Sequence, residues 1–365
     1  MGFLGWLSRK TAQSTPAGDA AAEAPAPAEE DAPTPLAELS EALESSNGGL
    51  RADASRALLD RWRAGEAAAA EVLAPRLGDL LEDDDPVVRI NGLSGVRLLR
   101  KPENLMRHAS AAMALLNDPV AQVRSAAVGA VARIPGDAAR AQVRAVLQST
   151  EEPMRFQAAG VLADLHDSAA LPELEAALEE GIRRQEALSA LMSLGDSAAR
   201  PAVAALFEQE DLGEFDRTMA AAALARLGDG RGNQHLAERI AAGGDDCPIA
   251  AEMAGRLSVQ EAVPALVELS EQEGAPARGA ALRALGRLRA QGAEERLLAI
   301  AAEAGADEDL RMDAAEGLAE VDGAAARALL QALAHDAGGE LGPLCAELLL
   351  ELAAQDAAVK QVREP

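Results

Sequence analysis

A twelve-residue line, V-R-x-A-A-x-x-A-L-x-x-L, recurs roughly every 31 residues along this chain, and a period of that length restricts it to a repeat architecture. VRSAAVGAVARI (123–134), MRFQAAGVLADL (154–165), DRTMAAAALARL (216–227), ARGAALRALGRL (277–288) and LRMDAAEGLAEV (310–321) align without gaps. VRINGLSGVRLL (88–99) and RRQEALSALMSL (183–194) join them, while DCPIAAEMAGRL (246–257) and LGPLCAELLLEL (341–352) keep the apolar positions and lose the arginine. The second position of the line is Arg89, Arg124, Arg155, Arg184, Arg217, Cys247, Arg278, Arg311 and Gly342, at steps of 35, 31, 29, 33, 30, 31, 33 and 31 residues. A degenerate earlier copy lies at 50–61.

Apolar residues at positions 1, 5, 9 and 12 fall on one face of a helix. A second amphipathic segment separates each line from the next, as in LPELEAALEE, RPAVAALFEQ and VPALVELSEQ. Each repeat therefore reads as two short helices and two turns. Composition agrees: 49% of residues are hydrophobic but only 2% are aromatic, so the apolar mass is Ala, Leu and Val, and the first two are strong helix formers. One such hairpin cannot bury its apolar face alone, whereas stacked hairpins share a continuous core. The expected fold is all-α, an α-solenoid (superhelix) of about nine to ten helical hairpins over residues 36–365. Turn chemistry points the same way. Asp-Pro at 85–86 and 118–119 marks helix starts, and Gly195-Asp196 and Gly228-Asp229 supply a helix-ending glycine followed by a capping aspartate.

Residues 1–35 differ from the rest. Phe3, Leu4 and Leu7 share a helical face with Trp6 at its edge, followed by Arg9 and Lys10. This short amphipathic segment, residues 1–10, suits weak peripheral membrane contact or docking in a partner's groove. Residues 11–35, rich in Ala, Pro and Glu, read as a disordered linker.

At this point the chain resembles HEAT repeats, in particular the short PBS-lyase (E–Z) type. The resemblance rests on an Asp six residues before the line's arginine (Asp83/Arg89, Asp118/Arg124, Asp211/Arg217) and on first-helix prolines at Pro172, Pro201 and Pro264. It spans roughly residues 66–355. It implies a structural role for the repeat arginines Arg89, Arg124, Arg155, Arg184, Arg217, Arg278 and Arg311, which would satisfy turn groups and stitch repeats together. It also implies that the second helices line a face used for binding proteins. Phycobilin lyases share the repeat type, which leaves a cofactor-handling protein or enzyme subunit as the alternative function.

The residues themselves argue for a non-catalytic scaffold or adaptor without cofactor or metal. His108, His166, His235 and His335 sit on different repeats, and no His-Glu dipeptide of the kind that binds iron in HEAT-like hydroxylases is present. Glu82 to Asp85 read as a capping turn. Cys247 and Cys345 are far apart, which fits a reducing, cytoplasmic setting. The net charge of −26 disfavours nucleic acid and favours protein partners with basic segments. A local exception is expected at position eleven of the line, where Arg226, Arg256 and Arg287 follow one another, with Arg283 one turn before the last. These four are the candidate partner-binding residues, a basic stripe able to hold an acidic peptide.

Overall fold

The computed structural model describes residues 34–363 except 182 and 337, with the side chains of 336 and 361–363 also outside the description. Phe3, Leu4, Trp6 and Leu7, and with them the expected membrane or peptide docking, lie outside the described residues. Every regular element among those described is a helix. The chain divides at Leu174/Glu175 into two compact units.

Unit 1 contains α1 (Leu36–Ala42), α2 (Gly48–Arg63), α3 (Ala67–Leu73), α4 (Leu77–Leu81), α5 (Pro86–Leu98), α6 (Pro102–Arg107), α7 (Ala109–Ala114), α8 (Ala121–Val131), α9 (Asp137–Val146) and α10 (Glu152–Asp164), and α11 (Leu171–Glu180) spans the division. The recurring line forms the second helix of each hairpin, and α2, α5, α8 and α10 pack in succession. Two first helices are broken, α3 from α4 by a 3-10 turn holding Pro75, and α6 from α7 at His108.

Unit 2 contains α12 (Arg184–Leu194), α13 (Arg200–Phe207), α14 (Glu214–Arg226), α15 (Gly230–Ala242), α16 (Cys247–Arg256), α17 (Val263–Glu271), α18 (Arg278–Arg287), α19 (Ala293–Ala302), α20 (Glu308–Val321), α21 (Ala324–Asp336) and α22 (Leu341–Arg363). Its second helices, α12, α14, α16, α18, α20 and α22, again pack each against the next. The architecture is an α-solenoid of helical hairpins, as the repeat period predicts.

The turns hold the expected caps. Asp85 accepts a hydrogen bond from the Val87 amide at 2.8 Å, with Pro86 opening α5. Gly195 adopts the left-handed conformation, φ 67°, at the end of α12, and Asp229 accepts from the Arg231 amide at 3.1 Å at the start of α15. Asp118 accepts from the Val120 amide at 2.8 Å, which places the start of α8 two residues past Pro119.

Small residues, Ala and Gly, run through the buried second helices between the core leucines. Ala220 to Leu224 of α14 are all buried, as are Gly279 to Gly286 of α18. With so little side-chain volume between them, neighbouring second helices meet nearly backbone to backbone. This close packing is what turns exposed-looking helix positions into buried ones in unit 2.

Candidate interaction surfaces

The repeat arginines join consecutive turns, and they do so differently from a simple Asp–Arg pair within each repeat. Arg89 donates through Nη1 to the Asp83 carbonyl at 2.7 Å, six residues back, and through Nε and Nη2 to the Asp118 carboxylate of the next turn at 2.9 and 3.0 Å. Arg124 repeats the arrangement with the Asp118 carbonyl (2.8 Å) and Glu151 (2.7 Å). Arg51, in the degenerate copy, clamps Asp83 with two hydrogen bonds of 2.7 and 2.6 Å. The residue six before the arginine thus contributes its carbonyl forward and its carboxylate backward. That is why Ser149 can stand where an Asp is expected: Arg155 needs only its carbonyl, 3.1 Å away, and takes Glu173 at 3.0 Å as its carboxylate.

Burial pushes the Asp118 carboxyl up, but hydrogen bonds from Arg89 and the Val120 amide outweigh it and hold the group below its ordinary value. Asp83 is lowered in the same way, burial opposing the hydrogen bonds from Arg51 and the Asp85 amide.

In unit 2 the clamp is looser in chemistry. Arg184 reaches Asp216 at 3.1 Å. Arg217 passes over Asp211 and donates instead to the carbonyls of Phe207, Gln209 and Leu212. Arg278 and Arg311 likewise satisfy carbonyls at the ends of first helices, Ser270 at 2.9 Å and Ala301 at 3.1 Å. These bonds occupy helix C-terminal acceptors that would otherwise lack partners.

The expected basic stripe takes a different form. Arg226 and Arg256 are exposed, the former lying over Gly195. Arg283, by contrast, has only 5% of its side chain in solvent and is enclosed by Glu252, Asp313 and Glu316. Arg287 bonds Glu252 and, at 3.1 Å, Glu320. Burial pushes its guanidinium down while those two carboxylates more than restore it. Four carboxylates therefore face two guanidinium groups across α16, α18 and α20. Glu252 is buried, whereas Glu316 and Glu320 keep 43% and 48% of their side chains exposed. At these two positions the face is an internal ion network with an acidic rim, not an open row of cations.

The signal for this was in the aligned columns. Position seven of three successive lines is Glu252, Arg283, Glu316, an alternation of sign across neighbouring helices. Reading along single helices hides it, because the partners lie about 31 residues apart.

The histidines do not converge. His108 is buried rather than on the surface, and burial, with Arg107 beside it, pushes its imidazole pKa down. His235 packs edge-on against Phe207 with ring centres 5.2 Å apart. His166 occupies a left-handed turn position, φ 53°. Burial pushes both cysteine thiols up. Among the described residues no group of His, Cys, Asp and Glu could hold a metal ion, and no helix is long and apolar enough to cross a membrane.

Solved structures with a similar arrangement include human deoxyhypusine hydroxylase in complex with glycerol (20% identity, 68% of this chain and 97% of that one, TM-score 0.30). They also include the karyopherin Kap121p bound to Pho4p (11% identity, 87% of this chain and 41% of that one, TM-score 0.42) and Kap121p bound to the extreme C-terminus of the protein phosphatase Cdc14p (14%, with the same coverage and TM-score). No curated protein matches the sequence. Residues 109–192 match the family model of HEAT repeats, so this stretch is similar in sequence to that family.

Proposed function

We propose that the protein is a non-catalytic interaction scaffold whose unit 2 holds basic segments of a protein partner along its second helices. The observation that carries this reading is the acidic rim: Glu316 and Glu320 project from α20 beside arginines already neutralised by Glu252 and Asp313. A guanidinium or ammonium group arriving there meets half-exposed carboxylates whose side chains are already partly ordered. Electrostatic complementarity of this kind sets partner choice and association rate. The 31-residue steps support the short PBS-lyase type of repeat, and two buried, unpaired thiols fit a cytoplasmic setting.

An Arg/Lys-rich fluorescein-labelled peptide should bind the full chain with a strong dependence on salt. Exchanging both carboxylates, Glu316→Lys with Glu320→Lys, should weaken that binding by about tenfold or more while leaving the circular dichroism unchanged. Equal affinity for the two proteins would remove the acidic rim as the docking site.

A further inference from the structure

The chain carries 60 acidic and 34 basic residues, yet residues 86–148 hold nine Arg or Lys against three carboxylates, Glu103, Asp118 and Asp137. Arg89, Arg124 and Arg144 of that group are ion-paired, with Asp118, Glu151 and Asp167. The other six, Arg97, Arg100, Lys101, Arg107, Arg133 and Arg140, are exposed, and among the described residues none has a side-chain hydrogen bond or ion pair.

Their placement follows from the register of α5 and α8. Arg89 clamps the start of α5 to the turn before α8, and near the other end the Arg97 guanidinium lies 3.6 Å from where a Cβ on Gly129 would stand. The two helices therefore run parallel and end side by side. The last turn of α5, with Arg97, and the turn that follows it, with Arg100 and Lys101, adjoin the turn from α8 to α9, with Arg133, and Arg140 sits in the first turn of α9. Helix dipoles account for Arg97 and Arg133 near C-termini. They do not account for Arg140, which faces the positive end of its helix.

Beside this edge lies a cleft of about 430 Å³ between α3 and α6. Its apolar walls are Ala70, Ala74, Pro75 and Leu99, with Arg107 among its polar residues and Glu71 its one carboxylate. Arg107 is at once one of the six cations and a lining residue of the cleft, and Leu99 of its wall directly precedes Arg100, so the cleft opens among the cations.

We infer that this edge of unit 1 binds an acidic peptide segment carrying a bulky apolar side chain. Carboxylates of the segment pair with the six cations, and the apolar side chain enters the cleft beside Leu99. The chemistry favours a peptide over a nucleic acid. A phosphodiester chain has nothing aliphatic to fill the cleft, and a long polyanion is repelled by a molecule of net charge −26. The surface is independent of the acidic rim in unit 2 and takes a ligand of opposite charge.

The test uses the full chain and fluorescence anisotropy with a short labelled Glu/Asp-rich peptide centred on one Phe. The unmodified protein should bind this peptide, and bind a version with Ser in place of Phe several-fold more weakly. The triple reversal Arg97→Glu, Lys101→Glu, Arg133→Glu should lose about tenfold or more in affinity with unchanged circular dichroism, whereas Arg226→Glu should not. No binding to the unmodified chain, no loss in the triple variant, or equally tight binding of a single-stranded oligonucleotide would each overturn the inference.

Discussion

Replacing Arg283 by methionine is expected to destabilise unit 2 by about 3–5 kcal/mol, read from urea unfolding followed by circular dichroism at the helix band. The side chain is almost wholly removed from solvent and lies between Glu252, Asp313 and Glu316. Methionine fills much of the volume but leaves the Glu252 charge buried with Arg287 as the one guanidinium still paired with it among the described residues. The loss comes from stranding that charge more than from the net strength of the ion pairs, since a buried pair recovers little beyond its own desolvation. The double variant Arg283→Met with Glu252→Gln should therefore be clearly more stable than the single one. A single-variant loss below about 1 kcal/mol would mean that water reaches the network.

Glycines inside helices give the second large effect, and its sign depends on what lies opposite. A Cβ on Gly286 would stand 2.3 Å from the Gly317 carbonyl oxygen and 2.7 Å from the Gly317 Cα. Both are backbone atoms of α20 and neither can turn away. Gly286→Ala gains up to about 1 kcal/mol of helix propensity. It must also push α18 from α20 and loosen the core beneath, so the expected net loss is about 2–3 kcal/mol. Gly160 in α10 has nothing within 4 Å of its Cβ position. There Gly160→Ala should stabilise the protein by up to about 1 kcal/mol. Thermal melts of the two variants, compared with the parent, should move in opposite directions.

Much of this molecule was legible before the structure. The period of the V-R-x-A-A line placed the second helices, and Gly195, Asp196, Gly228 and Asp229 marked turns that the structure contains. The degenerate copy at 50–61 contained Arg51, which takes its place as the first clamp. The fate of Arg283 and Arg287 was not legible along the chain. Whether an arginine is open or enclosed depends on how near the next helix lies, and that distance is set by Gly255, Ala284, Gly286 and Gly317 on the contact line. Small residues were read as helix formers. Their second consequence, bringing charged neighbours of adjacent repeats into one buried row, appears only when successive lines are compared column by column. The basic edge of unit 1 was hidden for another reason. A net charge averages over the whole chain, whereas six cations on α5, α6, α9 and the turns that join them form a local field.

Hydrogen–deuterium exchange of the full chain, with and without the Arg/Lys-rich peptide, addresses the docking claim most directly, because a bound segment slows local opening of the helices it bridges. Slower exchange concentrated in Cys247–Arg256, Arg278–Arg287 and Glu308–Val321, with unit 1 unchanged, is the predicted pattern. Protection confined to other helices, or none at saturating peptide, would contradict it.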